Sequence, residues 1–259
     1  MIKLKKAFEN KKAFIAFITA GDPDLETTEK LIYEMEKSGA DLIEIGIPFS
    51  DPIAEGIVIQ EADIRSLANG TTTEKVFEMV EKIRPNVHIP LVFMTYINVI
   101  FGYGSDRFVS RCKDIGIDGL IVPDMPYEEK DELLPYCKKY RVELVSLVAP
   151  TSHDRITKIA KDAEGFLYIV SSLGVTGVRS EITTDIDKII SLVKSVSDIP
   201  CAVGFGISTP QQASEMCKKS DGAIVGSAIV KIIAQYGKDS VKPVAEYVKK
   251  MADACHSIR

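Results

Sequence analysis

Eight short apolar segments recur along this chain, and longer segments with helical spacing separate them. Most of the eight are almost continuously apolar and rich in β-branched residues, which is typical of parallel strands buried on both faces. The predicted strands are Ala13–Thr19, Asp41–Gly46, Leu91–Thr95, Gly119–Val122, Glu143–Val148, Phe166–Val170, Ile199–Val203 and Gly222–Val225. Eight strand–helix units in 259 residues can form a closed (β/α)8 barrel or a doubly wound sheet. Because the repeat is even and no linker interrupts it, the sequence favours an α/β fold with a single domain over residues 1–259, a (β/α)8 TIM barrel.

The segments between the predicted strands have the pattern of amphipathic helices. Within Leu25–Lys37, three apolar residues fall on one stripe: Leu31, Ile32 and Met35. Residues that cap or open helices indicate three helix starts, at Ser105-Asp106, Ser152-His153-Asp154 and Thr209-Pro210. Gly39 and Gly116 indicate helix ends. The segment from Ile2 to Asn10 predicts an extra N-terminal helix that covers the floor of the barrel.

Composition and charge narrow the classes of function. The net charge of −5 argues against a broad surface for nucleic acid or anionic membranes, although it leaves room for a local phosphate pocket. The five cysteines form no CxxC pair and the three histidines lie far apart, so we expect reduced thiols and no metal site. The apolar run after the basic N-terminus is short and leads into Gly21-Asp22-Pro23-Asp24, which predicts a buried strand rather than a signal peptide. No segment is long enough to span a bilayer, and we expect a cytoplasmic protein.

Glu44 lies inside the second apolar segment. Alternation along a strand places Leu42, Glu44 and Gly46 on one face, and it leaves Ile43 and Ile45 on the other face to pack against helices. Glu44 would therefore point into the barrel near the C-terminal ends of the strands, where barrel enzymes hold their active sites. Burial would raise the pKa of its carboxyl toward the range useful for proton transfer at neutral pH. The alternative is a buried ion pair, but no basic residue lies in a neighbouring predicted strand.

The loop after the second predicted strand carries two more carboxylates, Asp51 and Glu55. Two prolines and a glycine between Pro48 and Gly56 give this loop a defined shape. A second carboxylate near Glu44 would supply an acid/base pair with distinct pKa values. A carboxylate in a loop can also be merely solvated, and both interpretations remain open.

Glycine-rich segments follow the last three predicted strands, at Ser171–Gly177, Gly204–Ser208 and Gly226-Ser227. Glycines allow backbone N–H groups to approach an anion, and the N-terminus of a helix favours its negative charge. Barrel enzymes often bind phosphate in the loops after strands seven and eight, so these segments predict a phosphate site, with simple tight turns as the alternative. The residues by themselves thus predict a metal-free barrel enzyme that acts on a phosphorylated small molecule by carboxylate acid/base catalysis.

Five segments resemble the tryptophan synthase alpha chain family: Phe17–Pro23, Glu44–Pro52, Gly174–Gly177, Gly204–Ser208 and Gly226-Ser227. They occur in the order of that family and at compatible spacing over essentially the whole chain, and the Glu44–Pro52 segment is the most specific of them. The resemblance implies a carbon–carbon lyase of tryptophan biosynthesis. Such an enzyme cleaves indole-3-glycerol phosphate to indole and glyceraldehyde 3-phosphate.

The same resemblance implies roles for individual residues. Glu44 is implied as the general acid/base that delivers a proton to indole C3, and Glu55 as the second carboxylate, which accepts the indole N–H. The implied substrate-binding residues are Phe17, Tyr168 and Thr176. The implied phosphate site consists of Gly177, Gly206, Gly226 and Ser227.

The chain departs from the family pattern in the loop after the second strand. Glu55 stands where the family usually has an aspartate, so its carboxylate reaches one methylene further. Ile57 and Val58 stand where a proline and often a threonine follow. These departures affect the expected hydrogen bond between Glu55 and the indole nitrogen, and they leave the expected reaction unchanged.

The resemblance also implies a partner. The alpha chain of the family docks on a beta chain that carries pyridoxal phosphate, in an alpha2beta2 heterotetramer, and indole passes between the chains through a tunnel. This chain itself is expected to hold no cofactor. Pro52–Gln60 and Tyr96-Ile97-Asn98 are expected near the contact.

Three other functions remain open from the sequence. Another aldolase or isomerase of sugar phosphates could use the same scaffold, although a Schiff-base aldolase needs a lysine in a barrel strand and the lysines here fall in predicted helices and loops. A regulatory subunit could bind the ligand and activate a beta chain without fast turnover, but an idle buried Glu44 would then be a liability. A stand-alone lyase that releases indole would differ only in its docking surface.

Overall fold

The strands close into a barrel in a computed structural model of the chain, which describes residues 3–170, 186–204 and 206–258. Each strand pairs in parallel with the next one along the chain, and the eighth pairs with the first. The strands are β1 (Ala13–Thr19), β2 (Leu42–Gly46), β3 (Leu91–Met94), β4 (Gly119–Ile121), β5 (Glu143–Val148), β6 (Leu167–Val170), β7 (Cys201–Gly204) and β8 (Gly222–Val225). The predicted (β/α)8 TIM barrel is confirmed, and every predicted strand overlaps an observed one.

Helices surround the barrel and bury their apolar stripes against the outer face of the strands. The α-helices are α1 (Leu25–Lys37), α2 (Ile57–Ala68), α3 (Thr73–Ile83), α4 (Ile97–Tyr103), α5 (Ser105–Asp114), α6 (Leu134–Tyr140), α7 (His153–Asp162), α8 (Ile186–Lys194), α9 (Pro210–Lys219), α10 (Ser227–Tyr236) and α11 (Val241–His256). Four 3-10 helices accompany them, at Leu4–Phe8, Arg84–Asn86, Tyr127–Glu132 and Gly237–Ser240. Leu31, Ile32 and Met35 of α1 are buried, as their spacing predicts. None of the helices in the described ranges is long and apolar enough to cross a membrane.

Side chains cap two of the three predicted helix starts. Ser152 and Thr209 each accept a hydrogen bond from the backbone N–H three residues later, over 3.4 and 3.2 Å. The third helix, α5, does begin at Ser105, but the predicted cap is wrong because Gly104 occupies the N-cap position. Gly104 also ends α4, so no extended residue with a capping side chain separates the two helices.

Two glycines end helices where the sequence predicts it. Gly39 follows α1 with φ of 103°, and Gly116 follows α5 with φ of 80°. A residue with a side chain is strained in this left-handed region, whereas glycine adopts it freely. The chain can therefore turn from each helix into the next strand within a few residues.

The N-terminal segment closes the floor of the barrel, but its helix is shorter than predicted. It is a 3-10 helix over Leu4–Phe8, where the sequence predicts a helix from Ile2 to Asn10, and Ile2 lies outside the described residues. The helix ends where Glu9 takes an extended conformation, and Asn10 then takes a left-handed φ of 61°, which asparagine tolerates. Leu4 is fully buried among the inward-facing side chains, and its N–H donates to Glu143 Oε2 over 2.8 Å. With the floor sealed, the opposite end of the barrel is left for a site.

Candidate active site

A cavity of about 810 Å³ lies at the C-terminal ends of the strands. The predicted site residues that line it are Phe17, Glu44, Glu55, Tyr168, Gly206, Gly226 and Ser227. The structure thus brings together residues that are spread over most of the sequence. Thr176 and Gly177, which were also predicted, lie outside the described residues. Asp51 is exposed and is not part of the lining.

Glu44 points into the barrel, as strand alternation predicts. Leu42 belongs to the cluster of inward-facing side chains, and Ile43 and Ile45 pack into the outer layer against the helices. The Glu44 side chain is 1% exposed, and neither carboxylate oxygen has a hydrogen-bond partner among the described residues. Burial raises the pKa of the Glu44 carboxyl to about 8. Glu44 therefore forms no buried ion pair with any of the described residues. With this pKa, Glu44 is mostly protonated at neutral pH.

Phe17 forms an apolar wall next to Glu44, its register partner across β1 and β2. A Cβ atom at Gly46 would lie 2.8 Å from Phe17 Cζ, and one at Gly226 would lie 3.1 Å from Phe17 Cδ1. The aromatic ring is therefore flanked by two glycines that leave room for it. A flat apolar surface beside a buried acid suits a planar aromatic ligand.

Tyr168 approaches Glu44 from β6, the strand that lies opposite β2 in the barrel. Burial, followed by the negative charge of Glu44, raises the pKa of the Tyr168 hydroxyl well above its usual range. The hydroxyl therefore stays protonated and can act as a hydrogen-bond donor toward a ligand or toward ionised Glu44.

The loops after β7 and β8 supply backbone N–H groups at the rim of the cavity. Gly226 is the N-cap of α10 and Ser227 is its first residue, and no side chain caps this helix. By contrast, Thr209 and Gln212 form a capping box that satisfies the first N–H groups of α9. The uncapped N-terminus of α10, facing the cavity, is the end that can receive an anion.

Glu55 belongs to a buried polar cluster that sequence reasoning missed. Its side chain is 9% exposed and hydrogen bonds to the side chains of Asp63 and Tyr96. The Tyr96 hydroxyl accepts a hydrogen bond from the backbone N–H of Ala54 over 3.0 Å, so it can donate its own proton to Glu55. Glu55 Oε2 is buried and has no hydrogen-bond partner among the described residues.

The sequence does contain one signal for Asp63. The buried stripe of α2 consists of Ile59, Ala62, Asp63 and Ser66, so Asp63 is a carboxylate at a core position of a helix. Such a residue is costly unless it has a partner or a purpose. Burial, and next the charge of Glu55, raises the pKa of Asp63 to about 9. Burial also raises the pKa of Glu55.

Metal-binding side chains do not gather in the part of the chain that the structure describes. Over residues 3–170, 186–204 and 206–258, no group of three or more histidine, cysteine, aspartate or glutamate side chains is arranged to hold a metal ion. The five cysteines are buried and unpaired. The cavity lining offers carboxylates and phenols for chemistry, and it also contains the cations Lys130, Lys138 and Arg155.

Comparisons with known proteins give the same family over the whole chain. A family model described as "Tryptophan synthase alpha chain" matches residues 3–256. The tryptophan synthase alpha chain of Lacticaseibacillus casei is 46% identical over 251 residues, which cover 97% of this chain and 94% of that protein.

Solved structures of related proteins have the same fold. Tryptophan synthase subunit alpha from Legionella pneumophila str. Paris has a TM-score of 0.90 at 35% identity, with 100% of both chains covered. A chain from the tryptophan synthase α2β2 complex of Pyrococcus furiosus has a TM-score of 0.86 at 33% identity, with 94% of this chain and 98% of that chain covered. The family match and these similarities extend over the barrel that holds Glu44. The chain therefore belongs to the tryptophan synthase alpha chain family, the lyases that cleave indole-3-glycerol phosphate.

Proposed function

We propose that Glu44 is the general acid and base with which this chain cleaves indole-3-glycerol phosphate to indole and glyceraldehyde 3-phosphate. The observation that carries the proposal is the state of its carboxyl, which is buried in the cavity, unpaired among the described residues, and has a pKa of about 8. A carboxyl of this kind holds a proton at neutral pH and can give it up during a reaction.

Glu44 alone can donate the proton that the reaction consumes and accept the proton that it releases. Glu44 gives its proton to C3 of the indole ring, and the ring becomes an electron sink. The bond between C3 and the glycerol chain then breaks, and its electron pair returns to the ring. The hydroxyl on the released carbon loses its proton to the Glu44 carboxylate as the aldehyde forms, which restores the acid. Because the indole ring accepts the electrons, the step needs no cofactor on this chain.

Glu55 stabilises the positive charge that develops on the indole nitrogen. Its unpaired oxygen, Oε2, is the acceptor for the indole N–H. A charged hydrogen bond in a buried site is considerably stronger than one in water, so it favours the protonated ring over the neutral substrate. This role requires Glu55 to be ionised while Glu44 is protonated.

The remaining lining orients the substrate. Phe17 packs against the indole ring and Tyr168 lies beside Glu44. Gly206, Gly226 and Ser227 bind the phosphate at the N-terminus of α10, together with Gly177, and Thr176 contacts the substrate. Holding both ends of the substrate fixes C3 in front of the acid.

The other barrel enzymes considered from the sequence fit the cavity less well. None of the described strands contains a lysine, so a Schiff-base aldolase has no nucleophile there. A sugar-phosphate isomerase does not need the apolar wall that Phe17 forms. We also place the protein in the cytoplasm, where its five buried cysteines stay reduced.

We further propose that the chain docks on a pyridoxal-phosphate-dependent beta chain through the surface around the β2–α2 loop. Ile57 and Ile64 are exposed on the same face of α2, seven residues apart, and Ile53 in the preceding loop is also exposed. Apolar side chains that cluster on a surface are typical of protein–protein contacts. Of the other expected contact residues, Asn98 is exposed, whereas Tyr96 is buried and faces Glu55 instead.

The experiment is an assay of indole release from indole-3-glycerol phosphate, with and without a tryptophan synthase beta chain. Wild type and Glu44→Gln are compared, and Glu26→Gln on the exposed face of α1 is the matched control. Loss of the general acid should lower turnover by roughly 10²–10⁴-fold. The control should keep wild-type rates.

The outcomes separate the functions. Slow release alone, stimulation by the beta chain and loss in Glu44→Gln support the proposal. Fast release without a partner indicates a stand-alone lyase. Binding of the substrate without release under either condition indicates a regulatory subunit and contradicts the role of Glu44.

A further inference from the structure

Asp63 lies on a helix that is tied firmly to the end of β1. Arg65 Nε and Nη2 donate to Asp22 Oδ1 and Oδ2, each over 2.8 Å. Ser66 Oγ donates to the carbonyl oxygen of Ala20 over 2.6 Å. These contacts connect α2 to the segment directly after β1, so Asp63 has a fixed place in the barrel, whereas Glu55 belongs to the preceding loop.

The surroundings of Asp63 disfavour the ionisation of both Asp63 and Glu55. Asp63 is 4% exposed, it hydrogen bonds to the Glu55 side chain, and it accepts a hydrogen bond from the backbone N–H of Phe49. Asp22 adds negative charge nearby, and the cation of the same helix, Arg65, is paired with Asp22. Two carboxyl groups in buried contact without a cation between them hold a proton in common.

The elements that pack against α2 here, β1 and α10, contribute apolar side chains. Ile59 and Ala62 of α2 form one buried cluster with Phe17 of β1 and Val230 of α10. Lys231, the lysine of α10, is exposed on the surface. Tyr96 is the remaining titratable group at Glu55, and it acts there as a neutral donor because burial raises the pKa of its hydroxyl.

We propose that Asp63 is a positioning residue for the cleavage: its protonated carboxyl donates a hydrogen bond to Glu55 and keeps the single negative charge of the pair on Glu55. With Asp63 and Tyr96 as donors to the Glu55 carboxylate, Oε2 is left for the indole N–H. The inference rests on the proposed function, because it assigns Asp63 a part in that reaction. It adds that Glu55 works as one member of an acid pair, in which the carboxyl groups of Glu55 and Asp63 share a proton.

The first test measures the protonation state of the Asp63 carboxyl directly, in the protein without substrate. Aspartate labelled with ¹³C at the side-chain carboxyl is followed by NMR from pH 4 to 10, and Asp63→Asn identifies the Asp63 resonance. We expect the Asp63 carboxyl to be protonated at pH 7, where exposed aspartates are ionised. Glu55→Gln should lower the pKa of Asp63, because the neighbouring charge is gone. An Asp63 that is ionised at pH 7 overturns the proposal.

The second test separates positioning from folding by steady-state kinetics at pH 7. Asp63→Asn keeps a donor to Glu55 in its side-chain amide, so kcat should stay within about threefold of wild type. Asp63→Ala removes the donor and should lower kcat about 10- to 100-fold with a smaller change in KM. Ser66→Ala, on the same helix, removes an anchor of α2 without touching the acid pair and serves as the structural control.

Each result has a defined meaning. Rescue by Asn but not by Ala supports the proposal, and an equal loss of kcat in both variants contradicts it. If wild type cleaves the substrate but Asp63 is ionised at pH 7, the acid pair is wrong and the proposed function stands. If wild type releases no indole under any condition while Asp63 is protonated, the proposed function fails and the catalytic role of the pair fails with it.

Discussion

The ring of Tyr168 lies directly over Gly204, so closely that a Cβ atom at position 204 would be 2.3 Å from the Tyr168 hydroxyl oxygen. The two residues sit on neighbouring strands, β6 and β7, at the rim of the cavity. The absence of a side chain at Gly204 is thus what allows the tyrosine to stand beside Glu44.

Gly204→Ala is therefore expected to displace Tyr168 and to impair substrate binding. We predict that KM for indole-3-glycerol phosphate rises about 10-fold or more, and that the free energy of unfolding falls by roughly 1–3 kcal/mol because the barrel is overpacked. Steady-state kinetics and urea unfolding measure the two effects. Gly102→Ala is the control, since a Cβ there meets no atom within 4 Å. Equal kinetics in the two variants would argue against a role for Tyr168 at the substrate.

The activity should fall as the pH rises through the pKa of Glu44. The carboxyl must be protonated to act as an acid, and its pKa is about 8. The value of kcat/KM should therefore decrease about tenfold per pH unit above that value. A pH–rate profile of wild type and of the Glu26→Gln control should show this descent. A flat profile between pH 7 and 10 would mean that Glu44 does not donate the proton.

The same pKa predicts how stability depends on pH. Glu44 keeps its proton up to about pH 8 in the folded chain, whereas in the unfolded chain it loses the proton near its ordinary pKa of 4.5. Between these values the unfolded state binds fewer protons, so the wild-type contribution to the free energy of unfolding decreases by up to about 1.4 kcal/mol per pH unit. Glu44→Gln lacks this dependence.

Urea unfolding at pH 5 and pH 8 measures the effect. The stability of Glu44→Gln relative to wild type should increase from the lower to the higher pH. A difference that is constant between the two pH values would show that the carboxyl is not shifted by burial.

The exposed face of α2 should be required for stimulation by a beta chain. Ile57 and Ile64 are 65% and 66% exposed and lie on one side of this helix. We predict that Ile57→Asp combined with Ile64→Asp abolishes the stimulation, because charges are costly in the centre of an interface. Indole release without the beta chain should stay within about twofold of wild type, as is usual for surface substitutions.

The control for the docking surface is Gln211→Asp, an exposed position on α9, which packs against α8 and α11. This variant should keep full stimulation. If the isoleucine variants are still stimulated like wild type, the beta chain binds elsewhere.

The barrel and Glu44 could be predicted because both depend on local patterns. Strands buried on both faces need continuous apolar segments, and these recur eight times in the sequence. The inward direction of Glu44 follows from alternation within a single strand, without knowledge of any other part of the chain.

The acid pair could not be predicted, because it depends on a contact between a loop and a helix. Glu55 and Asp63 are eight residues apart, and only the path of the loop brings their carboxyls together. Local signals also misled in one place: Ser105 has the side chain of a cap, but the adjacent helix end at Gly104 leaves it no capping position. Thr176 and Gly177 stay predictions, since they lie outside the described residues.

The central claim is that Glu44 delivers the proton that breaks the carbon–carbon bond, and a single-turnover experiment tests it most directly. Excess enzyme is mixed with indole-3-glycerol phosphate at pH 7, and the rate of indole formation is compared between wild type and Glu44→Gln after calorimetry has established that both bind the substrate. We predict similar affinities and a rate in the variant that is lower by roughly 10²–10⁴-fold. Indole formation at the wild-type rate by a substrate-bound Glu44→Gln enzyme would contradict the account.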